Sequence, residues 1–168
     1  MPDAFDPIAV MQALDRQRVT YIVIGGLGRV IHGSDELTHG LDIVPSTREE
    51  NLRRLGLALD ELNAQRPKGA RPDLQRDLGR EPVLELLTDG GELTIVPEPA
   101  GTRGYDDLRR AANREPLGHG VRPWVASIGD HTRMLAALNR EQDLVPLRTL
   151  RRLIELEREL SRGLSIDR

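Results

Sequence analysis

With 168 residues and a net charge of -3, the chain is long enough for one domain with a helical extension and gives no bulk electrostatic reason to bind nucleic acid. Hydrophobic residues make up 38% and aromatics 2%, so the core must be assembled from Leu, Val, Ile and Ala rather than large aromatic anchors. The absence of cysteine excludes disulfide scaffolds and thiolate metal sites, and without an apolar run near the ~20 residues of a membrane span or a charged-then-apolar leader, the expectation is no membrane contact and a cytoplasmic location.

Asp6 is placed to cap a first helix, with Pro7 in its first turn and Ile8, Val10, Met11 and Leu14 on one stripe, ending near Arg16 to Arg18. A buried strand, Tyr21 to Ile24, follows and runs into Gly25-Gly26. Leu27 to His32 reads as a short helix or tight turn, Gly33 to Gly40 as a polar link, and Leu41 to Val44 as a second strand carrying one acid, Asp42. A lone carboxylate in an apolar strand is costly unless it is hydrogen-bonded, ion-paired or metal-bound. The residues Ser34 and Thr38 in the link either satisfy the turn or touch a phosphate, and His39 faces solvent. None of the four histidines shows metal-ligand spacing.

Thr47 and Glu50 form a capping-box signature, and Leu52, Leu55, Leu59 and Leu62 share one face of the helix behind it. This strand–helix order suits an α/β fold with helices on one side of a mixed sheet. Asn63 to Pro82 breaks the pattern, with prolines and glycines among Arg66, Lys68, Arg71, Arg76 and Arg80, and reads as a mobile basic loop with a turn of helix around Leu74. Two strands, Val83 to Thr88 and Glu92 to Val96, flank the hairpin signal Asp89-Gly90-Gly91. A two-residue loop sets Leu87 opposite Glu92 and Glu85 opposite Thr94; a three-residue loop sends Glu85 to the other face. An irregular crossing follows, then a short helix over Tyr105 to Ala112. Val121 to Ala126 reads as an edge-type strand interrupted by Pro123. Ser127 caps a helix carrying Met134, Ala137 and Leu138, and a final helix over Leu144 to Leu160 places Leu147, Leu150, Ile154 and Leu160 on one face. The expected layout is a core over residues 1–126 with C-terminal helices over 127–168 packed on it as one domain.

Strand, paired glycines, short helix, and a strand with an inward acid resemble the opening of the nucleotidyltransferase superfamily that includes DNA polymerase β. Within it the chain is similar to small AbiEii and MenT-type toxin–antitoxin proteins. That resemblance covers roughly Ile8 to Leu153. It implies a mixed α/β (α+β) sheet with packed helices and a C-terminal helical segment. It also implies transfer of a nucleotide from an NTP to RNA, tRNA or protein with Mg²⁺, and a cognate antitoxin or toxin partner. By this resemblance Gly25 and Gly26 stand in the phosphate-loop positions, Ser34 and Thr38 beside them, Asp42 in one metal position, and Arg140 and Asp143 in the family's C-terminal motif. The family's first acid falls on Gly40, its third on Thr94, and a triphosphate lysine on Leu135. In the motif Arg-x-Thr-x-Asp-x-Asp, Thr38 is kept and Glu36 replaces the Arg. Glu85, across the hairpin from Thr94, could return a carboxylate to the vacated position, or face solvent, or pair with an arginine of the 66–80 loop. The alternative to an enzyme is a noncatalytic relative that binds a nucleotide or a partner protein.

Overall fold

The computed structural model describes residues 5–166. Helix α1 (Pro7–Arg16) begins as its sequence dictates, with the Asp6 carboxylate accepting the Ala9 N–H at 3.1 Å and Pro7 at the start, where no N–H is needed. Strand β1 (Tyr21–Ile24) leads into α2 (Gly25–Ile31), and β2 (Gly40–Pro45) returns antiparallel to it. Helix α3 (Glu49–Glu61) and the short α4 (Leu74–Asp77) precede the hairpin of β3 (Leu84–Thr88) and β4 (Gly91–Ile95). Helix α5 (Tyr105–Arg109), the two-residue strands β5 (Asn113–Arg114) and β6 (Trp124–Val125), α6 (Ile128–Leu138), a 3-10 turn at Glu141–Asp143 and α7 (Leu144–Ile166) complete the chain.

The six strands lie in the order β3-β4-β2-β1-β6-β5. The pairs β1/β6 and β2/β4 are parallel, and the other three are antiparallel. Alternation along the strands divides the apolar residues between the two faces. On one face Val23, Leu41, Ile43, Leu84, Leu86, Leu93 and Ile95 pack with Met11 and Leu14 of α1 and Leu55 and Leu59 of α3. On the other, Ile22, Ile24 and Val44 pack with Leu108 of α5 and Met134 of α6. Each fully buried Leu, Ile or Met contributes about 1.5–3 kcal/mol. Helices therefore cover both faces, not the single face expected from the strand–helix order, because α5 and α6 have their own apolar partners on the second side.

Four local expectations are corrected. The Thr47/Glu50 capping box does not form: Arg48 precedes α3 without a side-chain cap, and Glu50 is held by Arg53 and Arg54 instead. The 63–82 segment is not a free basic loop. Gln65 bridges to Leu87, and Arg66 pairs with buried Asp77 and with Glu81, while Arg76 also pairs with Asp77. Strand β6 is interior, flanked by β5, and begins after Pro123, so the missing proline N–H costs no sheet hydrogen bond. Leu147, Leu150, Leu153 and Ile154 of α7 pack with Ile128 and Leu135 of α6, but Leu160 is 69% exposed and residues 155–163 have no buried member.

Candidate functional site

The sheet register builds the site. A two-residue Asp89-Gly90 turn pairs Leu87 with Glu92 and Glu85 with Thr94. Parallel pairing of β2 with β4 then sets Asp42 beside Thr94 and Gly40 beside Glu92, and β1 sets Ile24 beside Asp42. Directly paired residues point to the same face, so Glu85, Thr94 and Asp42 form one row across three strands, with Glu92 and Gly40 in the next. This is the face that α5 and α6 cover farther along, at Ile22 and Val44. Over β3 and β4 it is open: Glu85, Glu92 and Leu87 are exposed, and Thr94 is half-buried.

Asp42 lies against the glycine pair. Gly25 has φ +69°, and a Cβ built there would stand 1.9 Å from Asp42 Oδ2 and 2.8 Å from its Cγ. Only glycine fits that backbone and that contact together. Burial pushes the Asp42 carboxyl above its ordinary range; a hydrogen bond with Thr94 and the Arg29 charge pull it back, while Glu92 and Glu85 push it up again. Two further carboxylates are thus close enough to act on Asp42, and Arg29 is the cation that does so.

Arg29, on α2, was not singled out by the sequence reading. Its guanidinium donates to both oxygens of Glu36, Nε to Oε2 at 2.9 Å and NH2 to Oε1 at 2.7 Å, and Ser34 Oγ adds a bond to Oε2 at 2.7 Å. Burial alone would raise the Glu36 carboxyl, but these bonds outweigh it and hold it below the usual range. Thr38 Oγ donates to the Gly40 carbonyl at 3.1 Å, and stands 3.3 Å from where a Cβ on Gly26 would be. Gly25, Gly26, Ser34, Thr38 and Asp42 are thereby brought to one place. Arg140 is used elsewhere, in a two-pronged pair with Asp143 at 2.6 and 3.0 Å, and the cation whose charge acts on Asp42 is Arg29.

Behind α2, His131 is buried and donates from Nδ1 to the Ser127 carbonyl at 3.0 Å; among the described residues its Nε2 has no hydrogen-bond partner. Burial lowers its pKa to about 4. The ring fits only because position 28 is glycine, since a Cβ there would stand 2.5 Å from Nε2. A groove of about 770 Å³ between α3 and α4, lined by residues such as Leu52, Gly56 and Leu74, does not include Asp42. Among the described residues no three His, Cys, Asp or Glu side chains converge on one ion position, and no helix is long and apolar enough to cross a membrane.

No family model and no curated protein matches the chain by sequence. Solved structures do match its fold. A Thermotoga maritima protein assigned as a nucleotidyltransferase superposes with a TM-score of 0.55 at 19% identity, over 88% of this chain and 94% of that one. The lincosamide antibiotic adenylyltransferase LnuA, solved with lincomycin bound, superposes with a TM-score of 0.60 at 13% identity, over 90% of this chain and 99% of that one. The mixed six-stranded sheet with packed helices and a C-terminal helix is a nucleotidyltransferase-like fold.

Proposed function

We propose that the protein transfers a nucleotide from an NTP to an acceptor, at a site whose metal-holding carboxylates have been redistributed across the sheet. The observation that carries this reading is the register. Glu92 lies beside Gly40, where the family's first acid falls, and Glu85 lies beside Thr94, where its third acid falls. A Cβ on Gly40 would stand 3.1 Å from Glu92 Cβ and 3.5 Å from its Oε2, so the glutamate already occupies the space an acid at position 40 would take. Both vacancies thus have a carboxylate in the adjoining strand.

The donor set suits Mg²⁺, which takes oxygen ligands and is held by one or two carboxylates plus phosphate and water oxygens. Asp42 with one neighbouring carboxylate, Glu92 or Glu85, would hold it, and their like charges, which add to the burial that raises the Asp42 carboxyl, are the kind of strain a cation relieves. When bound, such an ion stabilises the charge that develops on the transferring phosphoryl group. The residues of this chain do the rest. Gly25 lets the Asp42 carboxylate reach the turn, Thr94 holds one of its oxygens, and Arg29 supplies the positive charge beside it. Ser34 and Thr38 line the approach.

The resemblance supports RNA, tRNA or a protein as the acceptor and a toxin–antitoxin setting with a cognate partner. The second reading, a noncatalytic nucleotide or partner binder, is favoured by the lack of any converged three-ligand cluster among the described residues. Isothermal titration of Mg²⁺ with each NTP, together with incorporation of labelled NTP into RNA or protein, tests the two. Transfer that is lost in Asp42→Ala supports the enzyme. Binding without transfer leaves the second reading, and the absence of both removes this site from either.

A further inference from the structure

The most constrained anion near the glycine pair belongs to the chain itself. Glu36 accepts three hydrogen bonds, two from the Arg29 guanidinium and one from Ser34 Oγ, at 2.7 to 2.9 Å. Its Oε1 lies 3.5 Å from where a Cβ on Gly26 would stand, so the carboxylate rests on the turn rather than out in solvent. The side chains of Arg29 and Glu36 are 14% and 21% exposed. That is too enclosed for a rim ion pair and open enough for an exchange of partners. A guanidinium fork that grips a carboxylate through two parallel bonds presents the same geometry to two phosphate oxygens.

We propose that Arg29, Ser34 and the Gly25-Gly26 turn form a phosphate pocket that the chain fills with its own Glu36 carboxylate, which an incoming polyphosphate must displace. This deepens the transferase reading and rests on it for the identity of the natural ligand, a nucleoside triphosphate. The charges explain why displacement is required. Arg29 is the cation acting on Asp42, whose other charged neighbours are Glu92 and Glu85. While Glu36 holds Arg29, a polyphosphate arriving there meets four carboxylates and one neutralised arginine. When Glu36 leaves, the fork and the Ser34 hydroxyl become its partners. The segment that carries Glu36 can make that movement. It runs without helix or strand from Ser34 to His39, between Gly33 at φ +112° and Gly40, and the neighbouring Leu37 is 89% exposed and so is not anchored in the core.

The test is isothermal titration of the full chain with inorganic tripolyphosphate in the absence of metal, for the native protein, Glu36→Gln and Glu36→Ala. Removal of the internal competitor is expected to tighten binding by about tenfold or more, the scale of one charge-assisted contact. Adding Arg29→Ala to Glu36→Ala should abolish the gain. Glu36→Gln keeps the size of the side chain, so at least one variant retains the native packing, which thermal melting verifies. Unchanged or weaker binding in both Glu36 variants overturns the proposal, as does a gain that survives loss of Arg29. Titration of Mg²⁺ with NTPs in parallel separates this inference from the transferase reading. If the native chain binds Mg²⁺–NTP and the Glu36 variants change nothing, the internal anion is wrong and the transferase reading stands. If the variants gain tripolyphosphate but no form binds Mg²⁺–NTP, the pocket stands and the transferase reading falls.

Discussion

Replacing Gly25 by alanine puts a methyl group where the structure has no room for one. The backbone there sits at φ +69°, and an L side chain in that region costs about 1–2 kcal/mol. The new Cβ would also lie 1.9 Å from Asp42 Oδ2, so the carboxylate must leave its place and give up its Thr94 bond. Loss of a hydrogen bond to a buried charged group costs about 1.5–3 kcal/mol. The two effects together come to about 2.5–5 kcal/mol, a large share of the ~5–15 kcal/mol that holds a domain folded. The second part depends on Asp42 and the first does not. Asp42→Ala removes the carboxylate and leaves only its Cβ, 3.0 Å from the new methyl. In a double-mutant cycle followed by urea denaturation at neutral pH, Gly25→Ala should therefore cost about 1.5–3 kcal/mol less in the Asp42→Ala background. Additivity within about 0.5 kcal/mol would show that the two residues do not touch as described.

Three further outcomes follow from the same geometry. The folded pKa of Asp42 is raised above its ordinary 3.8, so its contribution to stability is full below that value and is lost as pH rises through the folded value. Asp42→Asn should then stabilise the protein at pH 7 and not at pH 3, and equal effects at both would contradict the burial argument. His131 behaves oppositely, with a folded value of about 4 against an ordinary 6.5: its contribution is present above 6.5 and is lost as pH falls through about 4. A urea-midpoint profile over that window should flatten in His131→Asn, which retains a donor for the Ser127 carbonyl. Gly40→Asp adds a carboxylate on a Cβ that would stand 3.1 Å from Glu92 Cβ, so its melting temperature should drop without divalent ions and recover in millimolar Mn²⁺ or Mg²⁺; no recovery would mean the two carboxylates cannot share a cation.

What the sequence disclosed and what it withheld divide along one physical line. The Asp89-Gly90 signal and the period-2 alternation are local, and they narrow the hairpin to two registers, one of which sets Glu85 opposite Thr94; the observed pairing selects that one. The position of Glu92 beside Gly40 depends on β2 pairing in parallel with β4, two strands separated in the chain by α3, α4 and β3, and no turn residue announces that register. Arg29 and Glu36 are seven residues apart across a bend, a spacing with no periodic signature. The fit of His131 over Gly28 joins α6 to α2 and is visible only once the helices are packed. Strand β5, at two residues, is too short for alternation to register at all. The misjudged 63–82 segment shows the reverse error: its composition suggested mobility, while one buried aspartate, Asp77, gathers Arg66 and Arg76 into order.

The final helix behaves as a cantilever. Its first ten or so residues are clamped through Leu147, Leu150 and Ile154, while from Glu155 to Gly163 no residue is buried. At about 1.5 Å per residue, those nine positions carry the chain some ~13 Å past its last support. An isolated helix of that length is marginal in water, and continuity with the clamped half helps to keep it wound. Its amide hydrogens will exchange on the lowest rung of the protein's opening energies, far ahead of those in β1 and β2. The same protein thus spans a wide range of rigidity, from a sheet row that tolerates no added methyl at Gly25 to a rod with no buried residue between Glu155 and Gly163.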